Sequence, residues 1–171
     1  MGNNAGANDQ LKLIPEPSLE YQAIAIGLSA AGNRSNTQGN YSIALGSEAG
    51  YSSQGPTSIA IGFEAGAISQ GADTGLCIAI GDRAGYEKQG HHSIAIGSGA
   101  GVSNLGINSI AIGYGSNSTF DNSIVLGTNT TATKSDSVFV KSIANYTPGS
   151  EPSDKHPLFY SPSSGELFTS F

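Results

Sequence analysis

The chain has 171 residues, of which 24 are glycine and only 12% are charged, and it carries a net charge of −6. Its seven basic residues are scattered, whereas phosphate binding needs clustered Lys and Arg, so the composition excludes nucleic acid as a partner. No apolar run reaches the 18 residues of a membrane helix, and membrane insertion is therefore not expected. The single cysteine, Cys77, excludes an intrachain disulfide.

A five-residue phrase recurs along most of the chain. Residues 1–21 precede it and are predicted to form an N-terminal cap or attachment segment. Between residues 22 and 141 the copies are AIAIG at 23–27, SIALG at 42–46, SIAIG at 58–62, CIAIG at 77–81, SIAIG at 93–97 and 109–113, SIVLG at 123–127 and a decayed SVFVK at 137–141. The basic period is 16 residues, with insertions at 28–38 and 72–76. This recurrence is typical of a solenoid with one coil per copy.

Each copy alternates aliphatic with small residues between glycine-rich turns, which predicts a short β-strand. In such a strand the aliphatic side chains point to one face and the small ones to the other. We predict an all-β parallel roll of seven to eight coils, in which two parallel sheets enclose an aliphatic core. The predicted core residues are Ile43, Leu45, Ile59, Ile61, Ile78, Ile80, Ile94, Ile96, Ile110, Ile112, Ile124 and Leu126.

The opposite face of the same strands carries small residues where a solvated sheet would carry charged ones. Its central row is Ala25, Ala44, Ala60, Ala79, Ala95 and Ala111. We predict that this alanine row is a subunit interface. A row that runs along a rod packs naturally around a parallel axis, which favours a cyclic homo-oligomer. The alternative is a monomer whose own loops cover the row.

The turns carry the remaining candidate residues. Phe63, Tyr86 and Tyr114 lie in outer turns, where an aromatic ring can contact a sugar or pack on neighbouring coils, and the sequence leaves both open. A second set recurs at equivalent corners, and for it we favour an amide ladder between successive coils over a row of carbohydrate contacts. This set is Gln38, Gln54, Gln70 and Gln89.

Residues 142–171 follow the last copy and begin with a linker rich in Pro, Gly and Ser. Their final part places two apolar runs around a Pro-Ser-Ser-Gly turn, which predicts a β-hairpin. Because a solenoid leaves unpaired strand edges at its ends, we predict that this hairpin caps the roll.

The repeated SIAIG phrase, with glycine-alanine turns between its copies, resembles the head repeat of YadA-like trimeric autotransporter adhesins over residues 22–140. The resemblance implies a left-handed parallel β-roll packed as a homotrimer and exposed to the extracellular side. The longer period and the Gln-Gly turns are similar to those of fibre and surface proteins from large DNA viruses and phages.

From these likenesses we predict a surface-exposed structural or adhesin head, on a virion surface or otherwise extracellular. As a trimeric fibre it would bind a host cell-surface glycan or protein, or decorate a virion through a capsid protein. The alternative is a capsid or spacer component with no ligand of its own. We expect no catalytic residue, no cofactor and no metal site, because Glu48 and Glu64 lie one coil apart on a turn and Cys77 has no identifiable catalytic partner.

Overall fold

The copies of the repeated phrase form the strands of a single parallel sheet. These strands are β1 (Ile24–Ile26), β2 (Ile43–Leu45), β3 (Ile59–Ile61), β4 (Ile78–Ile80), β5 (Ile94–Ile96), β6 (Ile110–Ile112), β7 (Ser123–Leu126) and β8 (Ser137–Val140). Each strand pairs with the next one along the chain. The register keeps like residues together, so that Ile59 pairs with Ile78 and Ala60 with Ala79. The residues between two strands complete one coil, and the predicted all-β parallel solenoid is confirmed.

The computed structural model describes residues 23–32, 38–71 and 74–141 in full, together with the strand backbone of 158–160 and 167–169. The predicted N-terminal segment, residues 1–21, lies outside the described residues. None of the described residues belongs to a helix long and apolar enough to cross a membrane.

Contacts divide the chain into two units, Met1–Lys141 and Ser142–Phe171. In the second unit, β9 (Leu158–Tyr160) pairs antiparallel with β10 (Leu167–Thr169). Residues 161–166, which join them, lie outside the described residues. The predicted capping role of this pair stays a prediction.

The part of the coil that leads from one strand back to the next, which we name the return side, forms only single-residue bridges. A second full sheet was predicted there. Ser52, Ile68, Glu87 and Ser103 pair in succession, and Asn117 pairs with Thr131. Ile68 lies between two residues with left-handed backbone, Gly66 at φ 54° and Ser69 at φ 56°. Two such bends so close together leave no length for a longer strand.

The two faces of the strands are the reverse of the prediction. Ala44, Ala60, Ala79, Ala95 and Ala111 are fully buried inside the roll, and Ala25 packs against this cluster. All the aliphatic residues predicted as the core lie on the outer face, where they are half-buried or exposed. The predicted alanine interface is therefore wrong, because those side chains already pack within one chain.

The interior is too narrow for two rows of isoleucine. From β1 to β5, the alanine of the strand packs in the core cluster with an alanine from the following corner, as Ala60 does with Ala65. The rest of the space holds a glutamine, such as Gln70, which has no exposed surface. In the coil of β7, where the return side contributes the small Ala132, the strand contributes the larger Val125. In this coil a larger strand residue offsets a smaller one on the return side, as close packing requires.

A column of glycines closes each strand and allows the coils to stack tightly. The closing glycines from Gly27 to Gly127 have φ between 121° and 141°, a region that is essentially restricted to glycine. A Cβ on Gly62 would lie 2.5 Å from the carbonyl oxygen of Gly81 in the next coil. Lys141 takes the equivalent position after β8 and does not share this backbone conformation. The column ends there, and β8 is the last strand of the sheet.

Candidate functional site

The outer side of the eight-stranded sheet is an apolar surface, which we name the isoleucine face. Each strand contributes two aliphatic side chains to it, in two rows held in register by the parallel pairing. Seven of these residues are among the exposed large hydrophobics of the single chain: Val138 at 63%, Ile24 at 51%, Ile26 at 50%, Val140 at 43%, Leu45 at 39%, Ile112 at 38% and Ile80 at 36%. A continuous apolar face of this kind marks an interaction surface.

The sequence identified these residues but assigned them to the wrong side of the strand. Alternation alone separates the two faces and does not say which face is inside. One signal pointed to the observed arrangement, since the turns supply alanine and glycine to the interior, and such small residues match a narrow cavity.

Two of the three aromatic residues predicted to contact a ligand lie at a corner beside the isoleucine face. Phe63 and Tyr114 directly follow the closing glycines of β3 and β6, and they are 43% and 62% exposed. Tyr86 is half-buried on the return side, next to Glu87 of the bridge row. The structure therefore does not bring the three rings together.

One of these corners carries a charged pair. Arg83 donates from Nε to Oε2 of Glu64 at 2.6 Å, and its guanidinium carbon lies 5.9 Å from the centre of the Phe63 ring. The bond to Glu64 raises the pKa of Arg83 above its ordinary value. Since Arg83 is exposed, the pair fixes the orientation of the corner side chains more than it adds stability.

The glutamines are buried inside the coil, so neither a sugar-contacting row nor an amide ladder between coils is formed. Nε2 of Gln54, Gln70 and Gln89 donates at 2.8 Å to the carbonyl oxygen of the residue that begins the strand of the same coil. Gln38 makes the equivalent bond to Ile24 at 3.0 Å. Each amide thus ties the return side of a coil to its own strand.

The surroundings of Cys77 and of the adjacent His91 and His92 are those of structural residues. Cys77 is fully buried in the row that serine otherwise forms from Ser42 to Ser123, and Sγ lies 3.1 Å from the carbonyl oxygen of Gly90. This burial raises the pKa of the Cys77 thiol. The rings of His91 and His92 meet edge to face, with centroids 5.4 Å apart. Among the described residues, no group of three or more His, Cys, Asp or Glu side chains is arranged to hold a metal ion.

Comparison with known proteins agrees with the coil geometry. A model of the YadA head domain repeat, which contains two copies of the repeat, matches this chain at residues 29–49, 89–116, 105–130 and 121–138. No curated protein and no solved structure matches the chain. The family match confirms the predicted resemblance to the YadA head repeat, while the likeness to viral and phage proteins stays a prediction.

Proposed function

We propose that this chain, whose coils carry the YadA head domain repeat, forms a homotrimeric adhesin-like head at an extracellular or virion surface. The isoleucine face is the observation that carries the proposal. Eight strands present a continuous apolar face outward from the roll, while β1 to β6 contribute alanine to the interior. Association with further copies of the chain buries this face without burying a charged group, because all of its described side chains are aliphatic.

The dimensions of the strand favour three copies over four. A five-residue phrase such as Ser93–Gly97 spans about 16 Å, and three sheets of that width around an axis place the axis about 5 Å from each sheet. Sheets that pack face to face are about 10 Å apart, so their side chains also fill about 5 Å on each side. Four copies would leave an unfilled channel along the axis. A dimer would also fill the space between its two sheets, so the sheet dimensions allow two copies as well as three. The family match favours three over two.

The test of this assembly is the molar mass in solution, measured by light scattering after size exclusion. We expect the wild-type chain of 17.3 kDa to be a trimer. The variant Ile80→Glu should be a monomer that keeps its β-sheet signal in circular dichroism, because residue 80 is already 36% exposed in one chain. Thr131→Glu, on the return side, is the matched control and should remain trimeric. A monomeric or dimeric wild type, or a trimeric Ile80→Glu, would reject the proposed trimer.

In this assembly the return sides of the three rolls face outward, and we place ligand contact there. Tyr86 lies in this region beside the exposed Glu87, two coils from Tyr51 in the equivalent position. An aromatic ring with a neighbouring carboxylate suits a carbohydrate, since the ring packs on the apolar face of a sugar and the carboxylate accepts hydrogen bonds from its hydroxyl groups. Phe63 and Tyr114, at the edge of the isoleucine face, lie too close to the neighbouring copies for this role.

A glycan array tests the ligand separately from the assembly. We expect the trimer to bind a subset of host-surface glycans and Tyr86→Ala to lose that binding while remaining a trimer. Thr131→Ala, elsewhere on the return side, is the control and should keep both the binding and the trimer. Absence of glycan binding, together with firm attachment to purified capsids, would replace the adhesin with a virion-decorating or spacer component that has no ligand of its own.

A further inference from the structure

Two columns of residues border the isoleucine face, one on each side. The leading column is formed by the residue two positions before each strand from β2 to β6, and one position before β7: Tyr41, Thr57, Leu76, His92, Asn108 and Asn122. The trailing column is formed by the residue after each closing glycine from Gly46 to Gly127: Ser47, Phe63, Asp82, Ser98, Tyr114 and Thr128. All of these residues except Ser47 are exposed in the single chain.

Backbone hydrogen bonds fix each column to one residue per coil. In the leading column, His92 and Asn108 donate to the carbonyl oxygens of Gly75 and His91 in the preceding coil. In the trailing column, Phe63 and Asp82 accept from the backbone N–H groups of Arg83 and Gly99 in the following coil. Successive residues of a column are therefore one coil apart, about 4.8 Å, which is the spacing of neighbouring strands.

Three-fold symmetry dictates which columns meet. Because a strand has a direction, rotation about an axis parallel to the roll brings the trailing edge of one sheet against the leading edge of the next sheet. Such a rotation leaves height along the axis unchanged. The residue before a strand in one copy therefore lies opposite the residue after the same strand in its neighbour.

The side chains that meet in this arrangement are matched in size. In each of the five coils from β2 to β6, one of the two positions carries a bulky side chain and the other a smaller one. From β2 to β6 the pairs are Tyr41 with Ser47, Phe63 with Thr57, Leu76 with Asp82, His92 with Ser98 and Tyr114 with Asn108. The bulky member changes sides along the roll, and no coil carries two bulky residues at these positions.

We propose that the leading and trailing columns form the seam between neighbouring copies, in which each bulky side chain fills the space beside the small residue of the same coil in the next chain. This inference rests on the trimer proposed above and assigns to the corner residues the task of setting its axial register. The isoleucine face cannot set that register by itself, because its rows repeat almost identically from coil to coil and allow the copies to slide by one coil. The irregular order of bulky and small residues makes a slipped trimer place two bulky side chains together or leave a gap.

Disulfide trapping tests the seam directly. In a Cys77→Ser background, His92→Cys and Ser98→Cys should form a covalent trimer under mild oxidation, visible on a non-reducing gel and reversed by reductant. Within one chain these residues are separated by six residues along a strand, about 20 Å when extended, so an intrachain disulfide is excluded. The matched control is Thr57→Cys with Ser98→Cys, two coils apart and thus displaced by about 10 Å along the axis.

The possible outcomes distinguish a failure of the seam proposal from a failure of the trimer proposal. A high yield of covalent trimer for residues 92 and 98 and little for residues 57 and 98 supports the seam. If light scattering shows a trimer but the displaced pair traps as well as the matched pair, or neither pair traps, the seam is overturned and the trimer stands. A monomeric wild type overturns both.

A size exchange tests whether the bulky and small residues act together. Thr57→Phe places two phenylalanines at the level of β3 and should weaken the trimer at least tenfold, as followed by the dilution at which it dissociates. Adding Phe63→Thr moves the bulky residue to the other column and should restore most of that loss. Thr131→Phe on the return side controls for an added aromatic residue. Failure of the second substitution to restore the trimer would overturn size matching as the basis of the register.

Discussion

At the scale of the residue, the glycines of three Ala-Gly turns, Gly50, Gly66 and Gly85, are explained by the glutamine that follows four residues later. Gly66 has a left-handed backbone, and a Cβ there would lie 2.7 Å from the amide carbon and oxygen of Gln70. The Oε1 atoms of all four glutamines are buried without a hydrogen-bond partner. Glycine at residue 66 therefore leaves the space that the buried amide of Gln70 occupies.

We predict that Gly66→Ala lowers the free energy of unfolding by about 1–3 kcal/mol more than Gly99→Ala, because only the first adds overpacking to backbone strain. Gly99 is the matched control, since its φ is also positive at 65° and a Cβ there would meet nothing closer than 3.9 Å. Urea denaturation of both variants measures the difference. Equal losses would mean that strain alone requires glycine at residue 66.

Cys77 offers a prediction with a pH dependence. Burial raises the pKa of its thiol, so the folded chain retains a proton that the unfolded chain loses above about pH 8.5. The stabilising effect is complete below that pH and is lost as the pH rises through the folded pKa. We expect Cys77→Ser to match wild type closely at pH 7, because serine takes this position in neighbouring coils, and to be less sensitive to alkali.

The measurement is urea denaturation of wild type and Cys77→Ser, with reductant, at pH 7 and pH 10. Other titrating groups cancel in the difference between the two proteins. A difference that does not change with pH would contradict a raised pKa for the thiol.

At the scale of the element, the coils of β1 to β4 are each held closed by a glutamine that bonds the return side to the strand of the same coil. Gln70 donates to the carbonyl oxygen of Ile59, and in the coil of β5 this position is taken by Leu105, which is also buried. The coil thus accepts either an amide with one good hydrogen bond or an apolar side chain of similar size. The net contribution of that hydrogen bond is about 1 kcal/mol.

We therefore predict that Gln70→Leu changes the free energy of unfolding by less than about 1.5 kcal/mol, since it also removes the unpartnered Oε1. Gln70→Glu should cost more, about 3 kcal/mol or above at pH 8, because it buries a carboxylate beside a carbonyl oxygen. That loss should shrink at pH 5, where burial keeps the carboxyl protonated. Thermal melts at both pH values provide the measurement, and a Glu variant as stable as the Leu variant at pH 8 would show that the interior admits water.

At the scale of the whole molecule, the roll exposes the residues that an ordinary domain would bury. A single chain gains its core from alanine, serine and glutamine, which offer little apolar area per residue. The isoleucine face supplies the missing burial only when copies associate. Assembly then adds to the stability of the folded chain by mass action.

This linkage predicts a melting temperature that rises with protein concentration for wild type and for Thr131→Glu, but not for Ile80→Glu. Mass action is the reason, because the trimer exchanges with unfolded monomers. Melts followed by circular dichroism over a hundredfold range of concentration measure it. A concentration-independent melt of a confirmed trimer would show that the chains unfold before they separate.

The recurring phrase is enough to predict the strands, their parallel order and their register, because it returns at a nearly fixed period and each copy can pair only with its neighbours. The alternation seen at Ile59 and Ala60 also predicts two chemically distinct faces. Which of the two faces lies inside depends on the folded coil. The width of the coil depends on where the chain bends back at Gly66 and Ser69 and on how far Gln70 reaches across, and neither follows from alternation. A narrow coil accepts alanine and directs isoleucine outward, so the same pattern that predicted an aliphatic core produced an aliphatic surface.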